Sequence, residues 1–400
     1  MKAVILAAGE GNRMRPLSYT RPKVMLPIAN KPILEHLLVE VKKAGVREFI
    51  FIVGYRDEQV RQYFGSGDRW GMSIDYCTQR KQLGTADAIR MAEGLVDGNF
   101  MVINGDIIVS QKDIQSLINK GTNAMTVIEV KETQDLGLVE LDEDKVVHIY
   151  EKVASLFSNI ANVGLYLFTP DIFAAISQTP KSPRGEYEIT DSLQLMIDQG
   201  NHIAYQKISY WLNLSYPWDL LTANESLLDE AEVENLGEVE DNAVIKGAVT
   251  IGKGTIVRSG SYIVGPALIG QDCDIGPNCY IRPYTSIGDD CHIGSAVEVK
   301  NSIIMNGSKI PHHNYVGDSV IGEGCNLGAG TKIANLKLDK KNIMVGSIDT
   351  KRRKLGAIIG DNVETGINAS INVGCLIGNN THIGPGAIAH GIIAPGSRIF

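Results

Sequence analysis

Arg13, Arg15, Arg21 and Lys23 crowd into LAAGEGNRMRPLSYTRPKVMLPI, the stretch that starts at Leu6 of a chain that is acidic overall. Gly9 and Gly11 open it, and a glycine turn lets backbone N–H groups approach phosphate oxygens without a Cβ in the way. Arg13 and Lys23 are placed to bracket a triphosphate, with Pro22 and Pro27 stiffening the returning segment. The motif is neither a dinucleotide fingerprint, whose third glycine is missing, nor a P-loop, which needs Gly-Lys-Ser/Thr.

Such a loop needs a strand before it and a sheet around it. Up to about residue 225 the chain alternates β-rich runs (AVILA, EFIFIV, FMVING) with helical patterns. One of these is ILEHLLVEVKKAG, with Ile33, Leu37, Leu38 and Val41 on one face and a closing Gly45. The alternation predicts an α/β domain with a mostly parallel, Rossmann-like sheet and ligands at the carboxyl ends of its strands. From about residue 240 a six-residue period takes over. Ile251, Val257, Ile263, Ile269, Ile275, Ile281, Ile287, Ile293 and Val299 share one register, and after an interruption the same spacing returns at Ile321, Leu327 and Ile333, and again from Ile359. Hexads of this kind predict a parallel β-helix. Cys273, Cys279, Cys291, Cys325 and Cys375 each lie four residues after a register aliphatic, in a slot that otherwise holds Val, Thr, Ser or Ala. That slot reads as a cramped inward corner where a free cysteine acts as a small hydrophobe, with Cys273 and Cys291 in adjacent coils. The domains are expected at 1–225 and 241–400. The acidic segment 222–242, a short helix followed by a linker over 226–240, reads as a solvated connector.

Thirty-eight Lys and Arg against 46 Asp and Glu leave a net charge of -8, which excludes broad binding to nucleic acid or anionic membranes. No apolar run approaches the roughly 18 residues of a membrane span, no signal peptide is evident, and the cytoplasm is the expected compartment. The cysteines lack the spacing of a zinc site.

The opening stretch resembles the signature of sugar-1-phosphate nucleotidylyltransferases, with Asn12 where Thr or Ser is usual. The resemblance implies that Leu6, Ala8, Gly9 and Gly11 wrap the nucleotide while Arg13 and Lys23 act on its phosphates. It implies that Gln79, Gly84 and Thr85, around QLGTADA, read the base, and that Asp106 (NGD) and Asn213 (YWLNLSYPWDLL) hold Mg²⁺. Gly137, Glu151 and Asn162 (IANVGLY) would contact the sugar. A sugar-phosphate oxygen then attacks the α-phosphorus and pyrophosphate leaves in line, without a protein nucleophile.

The segment from Arg282 to Asn335, which includes KIPHHNYVGDS, is similar to the acetyltransferase site of the bifunctional N-acetylglucosamine-1-phosphate uridylyltransferase/glucosamine-1-phosphate acetyltransferases, in the form described in archaea. The resemblance implies a left-handed β-helix, a homotrimer, and acetyl-CoA and UTP as co-substrates. By it, Arg282 and Lys300 hold the sugar phosphate and His312 is the general base. Tyr315, Asn326 and Asn335 orient the sugar and its amine, and Lys341 is the closest match in a basic excursion over 335–355. Ile367 stands where a serine near the thioester is expected. A histidine titrating near neutrality suits an amine that must shed a proton as it attacks a thioester. The rival reading is a glucose-1-phosphate thymidylyltransferase, or one taking several sugars, with a silent β-helix; UTP and dTTP are not ranked by these residues.

Overall fold

The structure is a computed structural model that describes residues 1–133, 136–151 and 158–400. The chain divides into two compact units. The first comprises Met1–Glu10, Pro22–Met25 and Ile33–Asn213; the second comprises Gly11–Arg21, Leu26–Pro32 and Leu214–Phe400.

The first unit is built on one mixed sheet. Its strands are β1 (Lys2–Ala7), β2 (Glu48–Val53), β3 (Ser73–Thr78), β4 (Phe100–Asn104), β5 (Ala124–Glu129), β6 (Leu138–Asp142), β7 (Lys145–Tyr150), β8 (Ile160–Phe168) and β9 (Ala204–Lys207). Their spatial order is β3-β2-β1-β4-β8-β5-β9-β7-β6. The first four run parallel, and β8 lies antiparallel to both β4 and β5. Alternation along β1 sends Ala3, Ile5 and Ala7 to one core and Val4 to the other, so both faces of the sheet are buried. The first core takes the apolar stripe of α1 (Ile33–Lys43), with Leu37, Leu38 and Val41 as expected and Leu34 in place of Ile33, which is buried outside this cluster. Gly45 closes that helix with φ +95°, a conformation L side chains rarely adopt.

In the second unit the hexads form three parallel sheets, the faces of a parallel β-helix. The first face starts at Glu238–Val239, the second at Val244–Lys246 and the third at Val249–Ile251. Every third strand stacks: Ile263 pairs with Ile281 on the second face and Ile269 with Ile287 on the third. The register aliphatics fill one continuous core.

Two expectations need correction. The interruption after Val299 does not break the coil: Ile304, Ile310 and Val316 carry the core through it. The steps from Val299 to Ile304 and from Val316 to Ile321 are each one residue short, which hides the period. Both steps, the 335–355 excursion and the short step from Ala389 to Ile393 fall at the same edge, where the second face turns into the third. The segment read as a solvated connector contains the helix Asp219–Asp229, whose Asn224 is fully buried. Its Oδ1 accepts from Ala29 N (2.9 Å) and Ser286 Oγ (2.9 Å), while Nδ2 donates to the Tyr284 carbonyl (3.0 Å).

The cysteine slot is small, but at the edge between the third and first faces it is also a donor position. Thr255 Oγ1 donates to Gly270 O (2.7 Å), Cys273 Sγ to Gly288 O (3.1 Å), Cys291 Sγ to Met305 O (3.3 Å), Ser308 Oγ to Gly322 O (2.7 Å) and Cys325 Sγ to Gly360 O (3.1 Å). A ladder of hydroxyls and thiols thus satisfies carbonyls that the coil turns inward. All six cysteines are free thiols.

Candidate active sites

In the first unit the carboxyl ends of β1 and β4 lie side by side, with Gly105 N donating to the Leu6 carbonyl at 2.9 Å. The next residue, Asp106, receives Lys23 Nζ at 2.5 Å, with Lys23 largely buried. Asn213 pairs with Ile107, the residue after Asp106, in a two-stranded antiparallel ribbon, so both predicted metal-holding residues meet at one end of it. A carboxylate and an amide are oxygen donors of the kind a hard divalent cation accepts alongside substrate phosphates. Among the described residues no three His, Cys, Asp or Glu side chains cluster as a metal cage.

The segment expected to read the base is tied to the loop. Gln82 Nε2 donates to the Ala8 carbonyl at 2.7 Å, and Tyr55 N donates to the same oxygen at 3.1 Å. Gln79 is buried, and its amide donates to Asp87 Oδ2 at 2.9 Å and to the Gly84 carbonyl at 3.3 Å. Gly84 has φ +111°, and a Cβ there would lie 2.4 Å from the Tyr187 carbonyl oxygen, so only glycine fits. Thr85 Oγ1 accepts from Ile189 N at 2.9 Å, which fastens this turn to the helix Ile189–Asp198.

The predicted sugar residues converge. Asn162 N donates to Gly137 O at 2.9 Å, and a Cβ on Gly137 would sit 3.4 Å from Glu151 Oε2 and 3.8 Å from Asn162 Cβ. Sequence reasoning missed their support: Arg184 bridges Glu151 (2.9 Å) and Glu188 (2.7 Å), and Thr190 Oγ1 donates to Glu151 (3.1 Å). Beside them burial, then the Glu151 charge, raises the Asp191 carboxyl above its ordinary range, against the pull of Arg184.

In the second unit Gly11 has φ +66°, and Arg13 is exposed with its guanidinium 5.7 Å from the Tyr216 ring centroid. Tyr216 stacks on Trp218.

On the β-helix Arg282 and Lys300 follow the register residues Ile281 and Val299, which are paired across adjacent coils, at the edge where the coil shortens. Arg282 donates to Glu298 at 2.8 Å. Lys300 reaches Asp318 Oδ2 at 3.1 Å, Asn301 Nδ2 donates to Asp318 Oδ1 at 2.9 Å, and Asn335 Nδ2 donates to Asp318 Oδ2 at 2.5 Å. Asn335 Nδ2 also donates to the Tyr315 hydroxyl at 3.1 Å. Asp318 is buried and has φ +51°. It gathers three of the predicted side chains, directly or through Asn335, yet no sequence argument selected it. Its VGDS setting looks like the IGDD of an ordinary hexad. An open groove of about 290 Å³ adjoins the cluster, lined by Tyr315, Lys332, Ala334, Ser370, Asn372 and Ile388.

His312 and Asn326 lie apart from this cluster in a single chain. His312 ends a first-face strand, pairs in register with Ser295 and is exposed; Asn326 is exposed on the same face. The second face separates them from the Arg282–Lys300 edge. Lys341 is exposed in the excursion. The basic run there is not wholly solvated: Arg352 donates to Thr222 Oγ1 at 2.7 Å and pairs with Glu225 at 3.4 Å.

Residues 2–230 match the family described as Nucleotidyl transferase. The chain belongs to that family. Residues 263–367 match the GMPPB C-terminal domain. The chain is 42% identical over 389 residues to "Bifunctional protein GlmU" of Methanocaldococcus jannaschii, covering 96% of this chain and 93% of that one. It is 40% identical over 398 residues to "Bifunctional sugar-1-phosphate nucleotidylyltransferase/acetyltransferase" of Sulfurisphaera tokodaii, covering 98% and 97%. Among solved structures, a UDP-glucose pyrophosphorylase complexed with UDP-glucose matches with TM-score 0.53 and 25% identity, covering 57% of this chain and 99% of that one. None of the described helices is long and apolar enough to cross a membrane.

Proposed function

We propose that this chain makes UDP-N-acetylglucosamine in two steps, acetylating glucosamine-1-phosphate with acetyl-CoA and then transferring uridylyl from UTP. The observation that carries the first step is the Asp318 cluster. A β-helix serving only as an oligomerisation rod has no use for a buried carboxylate that gathers Lys300, Asn301 and Asn335, since burying charge and amides costs more than packing aliphatics. The curated names of near-full-length relatives support both steps.

In the acetyl step Arg282 and Lys300 hold the phosphate, and Tyr315, Asn326 and Asn335 orient the sugar. The neutral amine nitrogen attacks the thioester carbonyl, a C–N bond forms and the C–S bond breaks; His312 takes the proton that the nitrogen sheds and returns it to the departing sulfur, so that coenzyme A leaves as the thiol. The distance of His312 from the cation edge along one chain supports a homotrimer in which a neighbouring copy completes the site. In the nucleotidyl step Gly9 and Gly11 offer backbone N–H groups, Arg13 and Lys23 bind phosphate oxygens, and Gln79, Gly84 and Thr85 form the base pocket. Gly137, Glu151 and Asn162 seat the sugar whose phosphate attacks the α-phosphorus. Asp106 and Asn213 would hold Mg²⁺, which would supply charge neutralisation of the phosphates. A cytoplasmic location follows from these soluble substrates.

The test uses the full chain. Glucosamine-1-phosphate with acetyl-CoA is expected to release free thiol, and N-acetylglucosamine-1-phosphate with UTP to release pyrophosphate. His312→Ala is expected to lower acetyl transfer by about 10²-fold or more and leave pyrophosphate release unchanged. Absence of acetyl transfer in the unmutated protein removes the first step.

A further inference from the structure

Arg21, a cation of the opening stretch with no role so far, is buried. Its Nη2 donates to Asp361 Oδ2 at 2.5 Å and its Nη1 to Glu323 Oε1 at 2.7 Å, with Met305 Sδ 3.6 Å from Nη1. Thr20 Oγ1 donates to the same Asp361 oxygen at 2.5 Å. Asp361 is buried, and its other oxygen accepts Glu323 N at 2.9 Å, as Asp289 Oδ1 accepts Gln271 N (2.8 Å) and Asn306 Oδ1 accepts Asp289 N (2.9 Å) in neighbouring coils. The position is an ordinary coil-capping position that has recruited a second duty. Met305, Glu323 and Asp361 follow Ile304, Ile321 and Ile359, so Arg21 sits on the edge from the third to the first face. The Arg282–Lys300 cluster occupies a different edge.

The anchor reaches the phosphate-binding part of the loop through a short chain of contacts. Ser18, three residues before Arg21, is buried and donates to the Gly11 carbonyl at 2.8 Å; Met14 N donates to the same oxygen at 2.8 Å. Met14 and Leu17 are buried between them. Gly11 and Arg13 thus stand at the start of an arm, Gly11–Arg21, whose far end is pinned by a buried guanidinium–carboxylate pair. Lys23 is two residues further along the chain.

We propose that Arg21 and Asp361 are positioning residues for nucleotidyl transfer, and that the β-helix holds the triphosphate-binding arm in its working conformation through this pair. The β-helix therefore serves both reactions, one as a site and one as a scaffold. The inference rests on the reading of Gly11 and Arg13 as triphosphate contacts, and the experiment separates the two.

Hydrogen–deuterium exchange of the full chain reads the anchor without any assay of activity. Asp361→Asn, which keeps the amide-accepting oxygen for Glu323, is expected to raise exchange across Gly11–Arg21 at least fivefold, with the strands from Val249 to Ile333 unchanged. Exchange that stays at the wild-type rate in the arm overturns the proposal. Kinetics read the consequence. Arg21→Gln and Asp361→Asn should each raise KM for the nucleoside triphosphate about tenfold and leave acetyl transfer within twofold. Arg21→Lys should recover part of the loss, and the double variant should be no worse than the poorer single one. Equal loss of both activities, or unchanged nucleotide KM, also overturns it. Faster exchange in Asp361→Asn beside an unmutated chain that releases no pyrophosphate would uphold the anchor and overturn the reading of Gly11 and Arg13 as triphosphate contacts.

Discussion

At the scale of single residues, chemistry was legible where side chains carry a motif and hidden where they act through another group. Gly137, Glu151 and Asn162 lie far apart in sequence and meet in space; Arg184, which neutralises Glu151, sits in a stretch (KSPRGEYEIT) that reads as a loop. Asp318 was hidden because hexads are full of Gly-Asp turns, and only the shortened coil turns this one inward. Its role leads to a distinct expectation. Asp318→Asn keeps a hydrogen-bonding shape but removes the charge that holds Lys300, and a charge-assisted hydrogen bond is worth roughly 1.5–3 kcal/mol. KM for glucosamine-1-phosphate should rise about tenfold or more with kcat changed less, because the lost contact positions the phosphate-binding lysine and not the proton acceptor. Steady-state acetyl transfer at varied sugar phosphate checks this, and a pure kcat defect contradicts it.

At the scale of elements, a hexad announces the β-helix because its core needs one aliphatic per strand, and any other residue there leaves a gap or an unsatisfied group. The period fails where the coil drops a residue, and those short steps share one edge with the cation cluster. The edge that carries the cation cluster is where the repeat varies. The inward ladder of Thr255, Cys273, Cys291, Ser308 and Cys325 was half visible: size could be read from the sequence, donor capacity only from the carbonyls above. Thr255→Val preserves size and removes the donor, leaving the Gly270 carbonyl without that partner inside the coil. A loss of roughly 1–3 kcal/mol in unfolding free energy is expected by denaturant titration. Ile275→Ala, at the centre of the same core and fully buried, should cost roughly 2–5 kcal/mol. Equal effects of the two changes would mean that the ladder, and not aliphatic packing, dominates this unit.

For the whole molecule, the thiols connect fold to conditions. Burial pushes Cys325 and Cys375 up to about 12 from an ordinary value of 9. Because each is protonated in the folded chain and ionises on unfolding, the folded state is favoured fully below about pH 9. That contribution is then lost as pH rises through the folded value, at about 1.4 kcal/mol per pH unit for each thiol. Stability between pH 9 and 12 should therefore fall more steeply for the unmutated chain than for Cys325→Ala/Cys375→Ala, with the two curves parallel from pH 6 to 8. Denaturant midpoints across that range measure it. The same burial predicts that a thiol reagent at pH 8 reacts with Cys77, the half-buried one, before the others, and that denaturation brings the count to six. A wild-type curve no steeper than the double variant would place these thiols in contact with water, and the continuous aliphatic core that links every coil of the second unit would then have to be open at those corners.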